Sequence, residues 1–361
     1  MSRLYIHCGM AKTGTSSLQE YLANRRRFLH RWNIDYPRIG LNSSGTAHAN
    51  LAFEIQGHPA FDSSIGTIDD LFEHLQKPDR TKHALLSGEG FAAALASEDS
   101  FRRFVEFVDR ARSLDYEVKL IFMFRSFWRR LESSYLERLK AGRPTPPIST
   151  FIKSNKRWTQ EFFKSLGILG DKLGQHRIIA LDIEKTYENS IFAMLDVIKV
   201  KKSALPRRKK ESRNVRLSLK HSAYLYQLQH APDDRSVSVR HSDVLFAASV
   251  LRQISPLSND MTRYNIVSAE QANDIQSFAR ETMPAFLHKS LHKLTEPELG
   301  PLDPHDLATV ELTPEDREVI DLALRIARKR KDKKIRPAHL IAYDPTVRPM
   351  RLPPKRRAAD Y

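Results

Sequence analysis

The sequence predicts a three-layer α/β fold, in which helices flank a central, mainly parallel sheet and a helical C-terminal part follows. In the first half, short runs typical of strands alternate with helical periods, and this alternation is typical of parallel strands joined by crossover helices. The 361 residues are 41% hydrophobic and 28% charged, which suffices for a sizeable core in one large domain or two smaller ones. The second half is mainly helical and carries two helix-capping patterns.

Four apolar runs are predicted to be strands: residues 4–8, 83–87, 118–124 and 177–181. Apolar periodicity predicts four helices that alternate with these strands, at residues 16–31, 101–112, 128–140 and 189–198. In an open sheet of this kind, the carboxyl ends of the strands form the ligand crevice. Residues that follow directly after a predicted strand are therefore the first candidates for a functional site.

Two helix starts in the second half carry capping residues. Ser268 stands three residues before Gln271, as in a capping box. Thr313 is followed by Pro314, a residue that favours the first position of a helix. Both patterns predict helices that begin at these points.

The domain boundaries are predicted from composition. We expect one domain over residues 1–300, of which 240–300 form a helical extension. Residues 301–361 are expected to form a C-terminal helix and a basic, proline-containing tail. From about Arg328 the helical pattern gives way to Lys, Arg and Pro, so we expect a partly disordered tail.

The positive charge is concentrated in two segments. The formal net charge is +16, while residues 201–220 carry +8 and residues 325–361 carry +10. The rest of the chain is close to neutral. Three interpretations stay open: a nucleic-acid-binding surface, a site for anionic cofactor phosphates in the first segment, and a solvated tail in the second. No RNA-binding, zinc-finger or helix-turn-helix pattern accompanies these segments, so nucleic acid is an unlikely partner.

Apolar runs and cysteine content predict the cellular setting. No run approaches the about 18 apolar residues that a membrane span needs, and the first apolar stretch, residues 4–8, is shorter than a signal-peptide core. Cys8 is the single cysteine, which excludes an intramolecular disulfide and leaves only His and carboxylates for a zinc site. We therefore expect a soluble protein of the cytoplasm without a stable membrane span.

The segment after the first predicted strand has the glycine spacing of a phosphate-binding loop: Gly9-Met-Ala-Lys12-Thr13-Gly14-Thr15-Ser16. The glycines allow backbone amides to face an anion at the N-terminus of the next helix, where the helix dipole favours negative charge. Thr15 and Ser16 add hydroxyl donors. The Gly-Lys-Ser/Thr ending of nucleotide triphosphatases is absent, and an ordinary glycine-containing turn stays open as an alternative.

The chain resembles the sulfotransferase family at two places. Residues 5–19, Tyr-Ile-His-Cys-Gly-Met-Ala-Lys-Thr-Gly-Thr-Ser-Ser-Leu-Gln, are similar to the loop that binds the 5′-phosphosulfate, especially in bacterial members related to carbohydrate sulfotransferases. Residues 120–125, Leu-Ile-Phe-Met-Phe-Arg, with Ser133 eight residues on, are similar to the element that binds the 3′-phosphate. The resemblance implies a P-loop NTPase-like fold whose nucleotide-binding core covers residues 3–230.

The resemblance also implies a cofactor and its contacts. The sulfuryl donor would be 3′-phosphoadenosine 5′-phosphosulfate (PAPS), and the product 3′-phosphoadenosine 5′-phosphate (PAP). Lys12 would neutralise the leaving group, while Arg125 and Ser133 would hold the 3′-phosphate. On physical grounds, a guanidinium at a strand end and a hydroxyl from the next helix can bind a terminal phosphate together. A surface cation and a solvated serine are the alternatives. The residues implied to hold the 5′-phosphate are Gly9, Lys12, Thr13, Gly14, Thr15, Ser16 and Ser17.

The basic segment 206–214, which includes Arg213, falls where the family places a loop that closes over the nucleotide. Several cations near a ligand with two phosphate groups raise its affinity and association rate. A solvated loop is an equal alternative for this charge run.

Glu89 is the candidate catalytic base. It follows the predicted strand 83–87, so it is expected to face the same crevice as Lys12 and Arg125. The family keeps a Glu or His at a similar place to deprotonate the acceptor hydroxyl. Gly88 departs from the serine that relatives often carry. The alternative is a glutamate that only caps the next helix.

His48 is a second catalytic candidate, because similar sequences carry a histidine between the same landmarks. The chain has 14 histidines, so a surface histidine or one satisfied in the core is the alternative.

These residues together predict a metal-independent sulfotransferase that transfers a sulfuryl group from PAPS to an acceptor hydroxyl. The resemblance implies a carbohydrate acceptor, such as an oligosaccharide, a polysaccharide or a glycolipid. A metal-dependent kinase, a nucleic-acid-binding protein and a catalytically inactive nucleotide-sensing relative are the competing hypotheses.

Overall fold

The structure is a computed structural model that describes residues 1–77, 82–184, 190–200, 217–230, 247, 264–296 and 304–333. Three predictions concern residues outside this part of the chain. The first is that the basic segment 206–214, which includes Arg213, contacts the nucleotide. The second concerns the first half of the helical extension, and the third the tail beyond residue 333.

The described part of the chain contains a five-stranded parallel sheet flanked by helices, as predicted. The strands, β1 to β5 in chain order, are Ser2–Gly9, Ile34–Asp35, His83–Ser87, Tyr116–Phe124 and Ile178–Asp182. They lie in the order β2-β3-β1-β4-β5, and every pairing is parallel. The four predicted strands are confirmed. β2 was not predicted, because two residues are too few to give a period-2 pattern.

The helices alternate with the strands in the first half of the chain. In chain order, α1 to α13 are Thr15–Asn24, Arg26–Arg31, Ala49–Gln56, Ile68–Leu75, Gly90–Ala94, Glu98–Ser113, Phe127–Lys140, Ile148–Leu173, Ser190–Val197, Leu219–Gln229, Ala269–Thr282, Ala285–Leu291 and Pro314–Lys333. The prediction of a single helix over residues 16–31 was wrong, because two helices, α1 and α2, cover this range. They are separated by Arg25, which leaves the helical region (φ −115°, ψ 20°) and donates its N–H to the carbonyl oxygen of Leu22.

Both faces of the sheet are covered by helices. On β4, Ile121 and Met123 pack into a buried cluster with apolar residues of α1 and α9. Phe122 and Phe124 point to the opposite face, where their rings contact Phe162 and Phe163 of α8 at centroid distances of 5.7 and 6.4 Å. A strand buried on both faces reads as one continuous apolar run, which is why this strand was readily predicted.

The chain divides into two compact units. The first comprises Met1–Leu136, Pro146–Lys210 and Asn265–Pro304. The second comprises Glu137–Thr145, Glu211–Tyr264 and His305–Tyr361. The candidate loop and the whole sheet belong to the first unit. In the second unit, α10 and α13 share a small apolar core that includes Tyr224, Ile320 and Leu324.

The predicted helix starts are confirmed. Ser268 and Gln271 form a reciprocal capping box at the start of α11. At the start of α13, Asp316 N–H donates to the Thr313 hydroxyl and Thr313 N–H donates to the Asp316 carboxylate, at 3.1 and 3.0 Å. α13 continues to Lys333, beyond the predicted end near Arg328. Lys and Arg are good helix formers, so a basic composition alone does not end a helix.

Candidate functional site

The loop after β1 is held by its own backbone and by the neighbouring strand. Gly9 and Lys12 adopt positive φ angles of 93° and 67°. Met10 N–H donates to the carbonyl oxygen of Met123 on β4 at 3.1 Å, and the buried Thr13 hydroxyl donates to the carbonyl oxygen of Met10 at 2.5 Å. Thr13 therefore stabilises the turn, and its hydroxyl is engaged inside the protein.

The N-terminus of α1 is open to an anion. Gly14 is the N-cap residue in the left-handed conformation (φ 81°, ψ 12°) and supplies no side-chain cap. The first N–H groups of a helix have no partner within the helix, so those of Thr15, Ser16 and Ser17 are available to a ligand. Ser16 is exposed and Ser17 half-buried. The predicted order of strand, glycine-containing loop and helix is thus present, and the helix start carries no side-chain cap.

Glu89 packs directly against this loop. Its carboxylate accepts a hydrogen bond from the Thr15 hydroxyl. A Cβ atom on Gly9 would lie 3.2 Å from the Glu89 Cα, so the two backbones approach closely. Glu89 occupies the N-cap position of α5, but its side chain makes no capping hydrogen bond there. The carboxylate is thus oriented by the loop and not by its own helix.

Arg125 reaches the same loop from the other side of β1. It follows β4, is about one quarter exposed (26%), and donates from Nη1 to the carbonyl oxygen of Lys12 at 3.2 Å. β3 and β4 flank β1 in the sheet, so Glu89 contacts the loop from one neighbouring strand and Arg125 from the other. The sequence-predicted residues Lys12, Glu89 and Arg125 are therefore brought to one loop.

Replacement of Gly9 by alanine is expected to destabilise the protein more than replacement of Gly14, by about 1–3 kcal/mol. Both glycines have a positive φ angle, so alanine is strained at either position. Only at Gly9 would the new Cβ atom crowd the Glu89 backbone, because a Cβ atom on Gly14 meets nothing within 4 Å. Urea unfolding of the two variants measures the difference. Equal destabilisation would contradict the close approach of Glu89 to the loop.

Glu184 lies close to both Arg125 and Arg129. Ser133 is half-buried on α7, one helical turn after Arg129. Glu184 follows β5, and its carboxylate lies 3.9 Å from Arg125 Nε and 3.7 Å from Arg129 Nη1. Sequence analysis missed Arg129 and Glu184. Two signals could have found them. Arg129 stands four residues after Arg125, and Glu184 stands just past the end of a predicted strand.

His48 is buried, and both of its ring nitrogens are engaged. Nδ1 accepts a hydrogen bond from the Ser87 N–H at 3.0 Å, so the neutral ring carries its proton on Nε2, which donates to the carbonyl oxygen of Pro37 at 3.0 Å. The backbone N–H of His48 donates to the Ser87 carbonyl oxygen at 2.7 Å. Burial lowers the pKa of His48 to about 4. His48 thus fixes the end of β3 before Glu89. Its ring has no free lone pair with which to accept a proton from the hydroxyl group of a substrate.

His7 completes the buried polar group at this strand end. Its Nδ1 lies 2.7 Å from the Ser87 hydroxyl oxygen, and its Nε2 is buried without a hydrogen-bond partner among the described residues. Burial lowers the pKa of His7 to about 3. Gly88 donates its N–H to the His7 carbonyl oxygen, and a Cβ atom on Gly88 would lie 3.2 Å from the His48 carbonyl oxygen. Close packing thus accounts for the glycine at this position.

Two general features of the described residues bear on the site. They contain no group of three or more His, Cys, Asp or Glu side chains placed to hold a metal ion. No helix in the described ranges has both the length and the apolar character that crossing a bilayer requires.

Comparison with known proteins gives one structural similarity. The chain matches a sulfotransferase domain from the curacin biosynthetic pathway, with 11% sequence identity, a TM-score of 0.34, and coverage of 78% of this chain and 99% of that chain. No protein-family model and no curated protein matches the chain. A TM-score at this level carries no argument about activity, so the function rests on the residues of the site.

Proposed function

We propose that this protein is a sulfotransferase that moves a sulfuryl group from PAPS to an acceptor hydroxyl. One observation supports this above the others. The phosphate-binding loop is contacted on one side by a carboxylate, through Thr15 and Glu89, and on the other by a guanidinium, through Lys12 and Arg125. Sulfuryl transfer from a nucleotide with two phosphate groups requires three parts. These are a base, a turn that binds an anion and a cation for the second phosphate.

The residues present fit this cofactor. The uncapped N–H groups at the start of α1 suit the 5′-phosphate, and Ser16 adds an exposed hydroxyl. Arg125, with Ser133 on the following helix, suits the 3′-phosphate. PAPS supplies the sulfuryl group as an electrophile attached to its 5′-phosphate.

Each residue of the site has one task in the reaction. Glu89, held by the Thr15 hydroxyl, accepts the proton of the acceptor hydroxyl as that oxygen attacks sulfur. Lys12 lies in the turn of the loop and stabilises the negative charge that develops on the departing phosphate oxygen. The loop amides would hold the 5′-phosphate of the donor. His48 and His7 keep the end of β3, and with it Glu89, in place.

The acceptor and the setting follow from the resemblance of residues 5–19 to bacterial carbohydrate sulfotransferases. A hydroxyl of an oligosaccharide, a polysaccharide or a glycolipid is the acceptor class we propose, and a cytoplasmic location stays a prediction. Transfer of labelled sulfate from PAPS to a panel of carbohydrates, with simple alcohols and tyrosine peptides as comparisons, tests the acceptor class separately from the donor.

Calorimetric titration with PAP tests the donor site. We expect PAP to bind tightly, adenosine 5′-phosphate to bind more weakly, and Arg125→Ala to lower the PAP affinity ~10–100-fold, because a hydrogen bond between two charged groups is lost. Arg102→Ala, which removes an exposed arginine of α6, is the matched control and should leave the affinity unchanged. Absence of PAP binding, or a preference for ATP with magnesium, would contradict the proposal and favour the kinase hypothesis.

A further inference from the structure

A carboxylate lies beside the arginine that we propose to hold the 3′-phosphate. Glu184 faces two guanidinium groups at once, at 3.9 Å from Arg125 Nε and 3.7 Å from Arg129 Nη1. The three side chains are partly exposed, at 30% for Glu184, 26% for Arg125 and 43% for Arg129. One acidic group thus lies between two basic groups at the edge of the candidate site.

The parallel pairing of β4 and β5 fixes this position. Phe124 and Asp182 are register partners, and Ile183 N–H donates to the Phe124 carbonyl oxygen at 2.9 Å. Glu184 N–H donates to the Asp182 carboxylate at 2.9 Å, which sets the direction of the chain after the strand. The residue after Phe124 is Arg125, so the two strand ends necessarily place Glu184 beside it.

We infer that Glu184 is a placeholder for the 3′-phosphate, and that Arg129 is a second cation for the same phosphate. The inference rests on the proposed function, because it assumes a nucleotide with a 3′-phosphate. In the ligand-free protein, the single negative charge of Glu184 offsets part of the positive charge of Arg125 and Arg129. On binding, the phosphate takes its place between the two guanidinium groups.

The geometry makes this exchange easy. At 3.7–3.9 Å neither contact of Glu184 is a hydrogen bond, and ion pairs at this exposure are weak. A phosphate monoester carries close to two negative charges and has three acceptor oxygens, so it can accept hydrogen bonds from both guanidinium groups. The dianion therefore displaces a single carboxylate.

The placeholder acts mainly on ligands that carry a 3′-phosphate. A nucleotide with a 3′-hydroxyl has no charge at that position and leaves Glu184 beside the two arginines. A nucleotide with a 3′-phosphate must displace the carboxylate before it binds both guanidinium groups. Glu184 thus lowers the affinity for PAP more than the affinity for nucleotides that lack the 3′-phosphate.

Titration of Glu184→Gln with PAP and with adenosine 5′-phosphate tests this role. The variant is expected to bind PAP ~3–10-fold more tightly, since it removes the competing charge at two exposed ion pairs. The affinity for adenosine 5′-phosphate should change by a smaller factor. Arg129→Ala should weaken PAP binding ~3–10-fold. Glu106→Gln, which removes an equally charged, exposed partner of Arg102 on α6, controls for net charge and should have no effect.

The outcomes separate this inference from the function on which it rests. Unchanged or weaker PAP binding by Glu184→Gln, with normal binding by the wild type, would overturn the placeholder and show that the carboxylate only holds the arginines in place. Equal gains for PAP and adenosine 5′-phosphate would also overturn it, because the effect would not depend on the 3′-phosphate. Failure of the wild type to bind PAP would overturn the sulfotransferase proposal and the inference together.

Discussion

Glu89→Gln is expected to lower kcat for sulfuryl transfer by ~10²–10⁴-fold, the usual contribution of a general base. The amide has the same shape, and its oxygen can still accept the hydrogen bond from the Thr15 hydroxyl, so the loop should keep its structure. What is lost is the capacity to take the proton of the acceptor. Steady-state transfer from PAPS to the acceptor that the wild type uses measures the effect, and calorimetry should show PAP binding within a few-fold of the wild type.

Measuring kcat together with PAP affinity distinguishes the loss of a base from the loss of the nucleotide site. Glu106→Gln removes the same charge from α6 and should leave both quantities unchanged. If Glu89→Gln kept more than about a tenth of the wild-type kcat, the carboxylate would not be the base. His48 could not then be its substitute in this conformation, because both of its ring nitrogens are hydrogen-bonded in the core.

The first unit is expected to lose stability steeply as the pH falls below 6.5. His7 and His48 are buried, and burial lowers their pKa values from 6.5 to about 3 and about 4. Below pH 6.5 the unfolded chain binds protons that the folded protein rejects, so stability is fully present above the unfolded pKa and declines toward the folded one. Between the unfolded pKa and the two folded pKa values, the histidines together contribute at most about 3 kcal/mol per pH unit.

Tryptophan fluorescence is a suitable probe for this measurement. The three tryptophans of the chain, Trp32, Trp128 and Trp158, all lie in the first unit. Urea unfolding at pH 7.5, 6 and 5 should show the midpoint falling more steeply between 6 and 5 than between 7.5 and 6. His48→Gln should be less stable at neutral pH but show a smaller decline, while a variant of the exposed His30 should decline as the wild type does. A stability that is flat from pH 7 to pH 5 would show that these histidines are not buried in neutral form.

The fold could be predicted from the sequence to a large extent, because its signals are local. The apolar runs of β1, β3, β4 and β5 are continuous, and the strand-loop-helix order around Gly9 and Gly14 is visible in a few residues. The capping residues of α11 and α13 were predicted correctly for the same reason, since a cap involves only four consecutive positions. The two-residue β2 and the break at Arg25 gave no such signal.

The sequence by itself determined the strands, the glycine-containing loop after β1 and the residue types that follow the strand ends. Only the tertiary structure decided which of these residues meet. Thr15 and Glu89 are 74 residues apart, and their hydrogen bond exists because β1 and β3 lie side by side. The burial of His48 and the pairing of Glu184 with Arg125 have the same origin. A polar side chain looks alike in the sequence whether it is solvated or enclosed, and only strand order and register determine its neighbours.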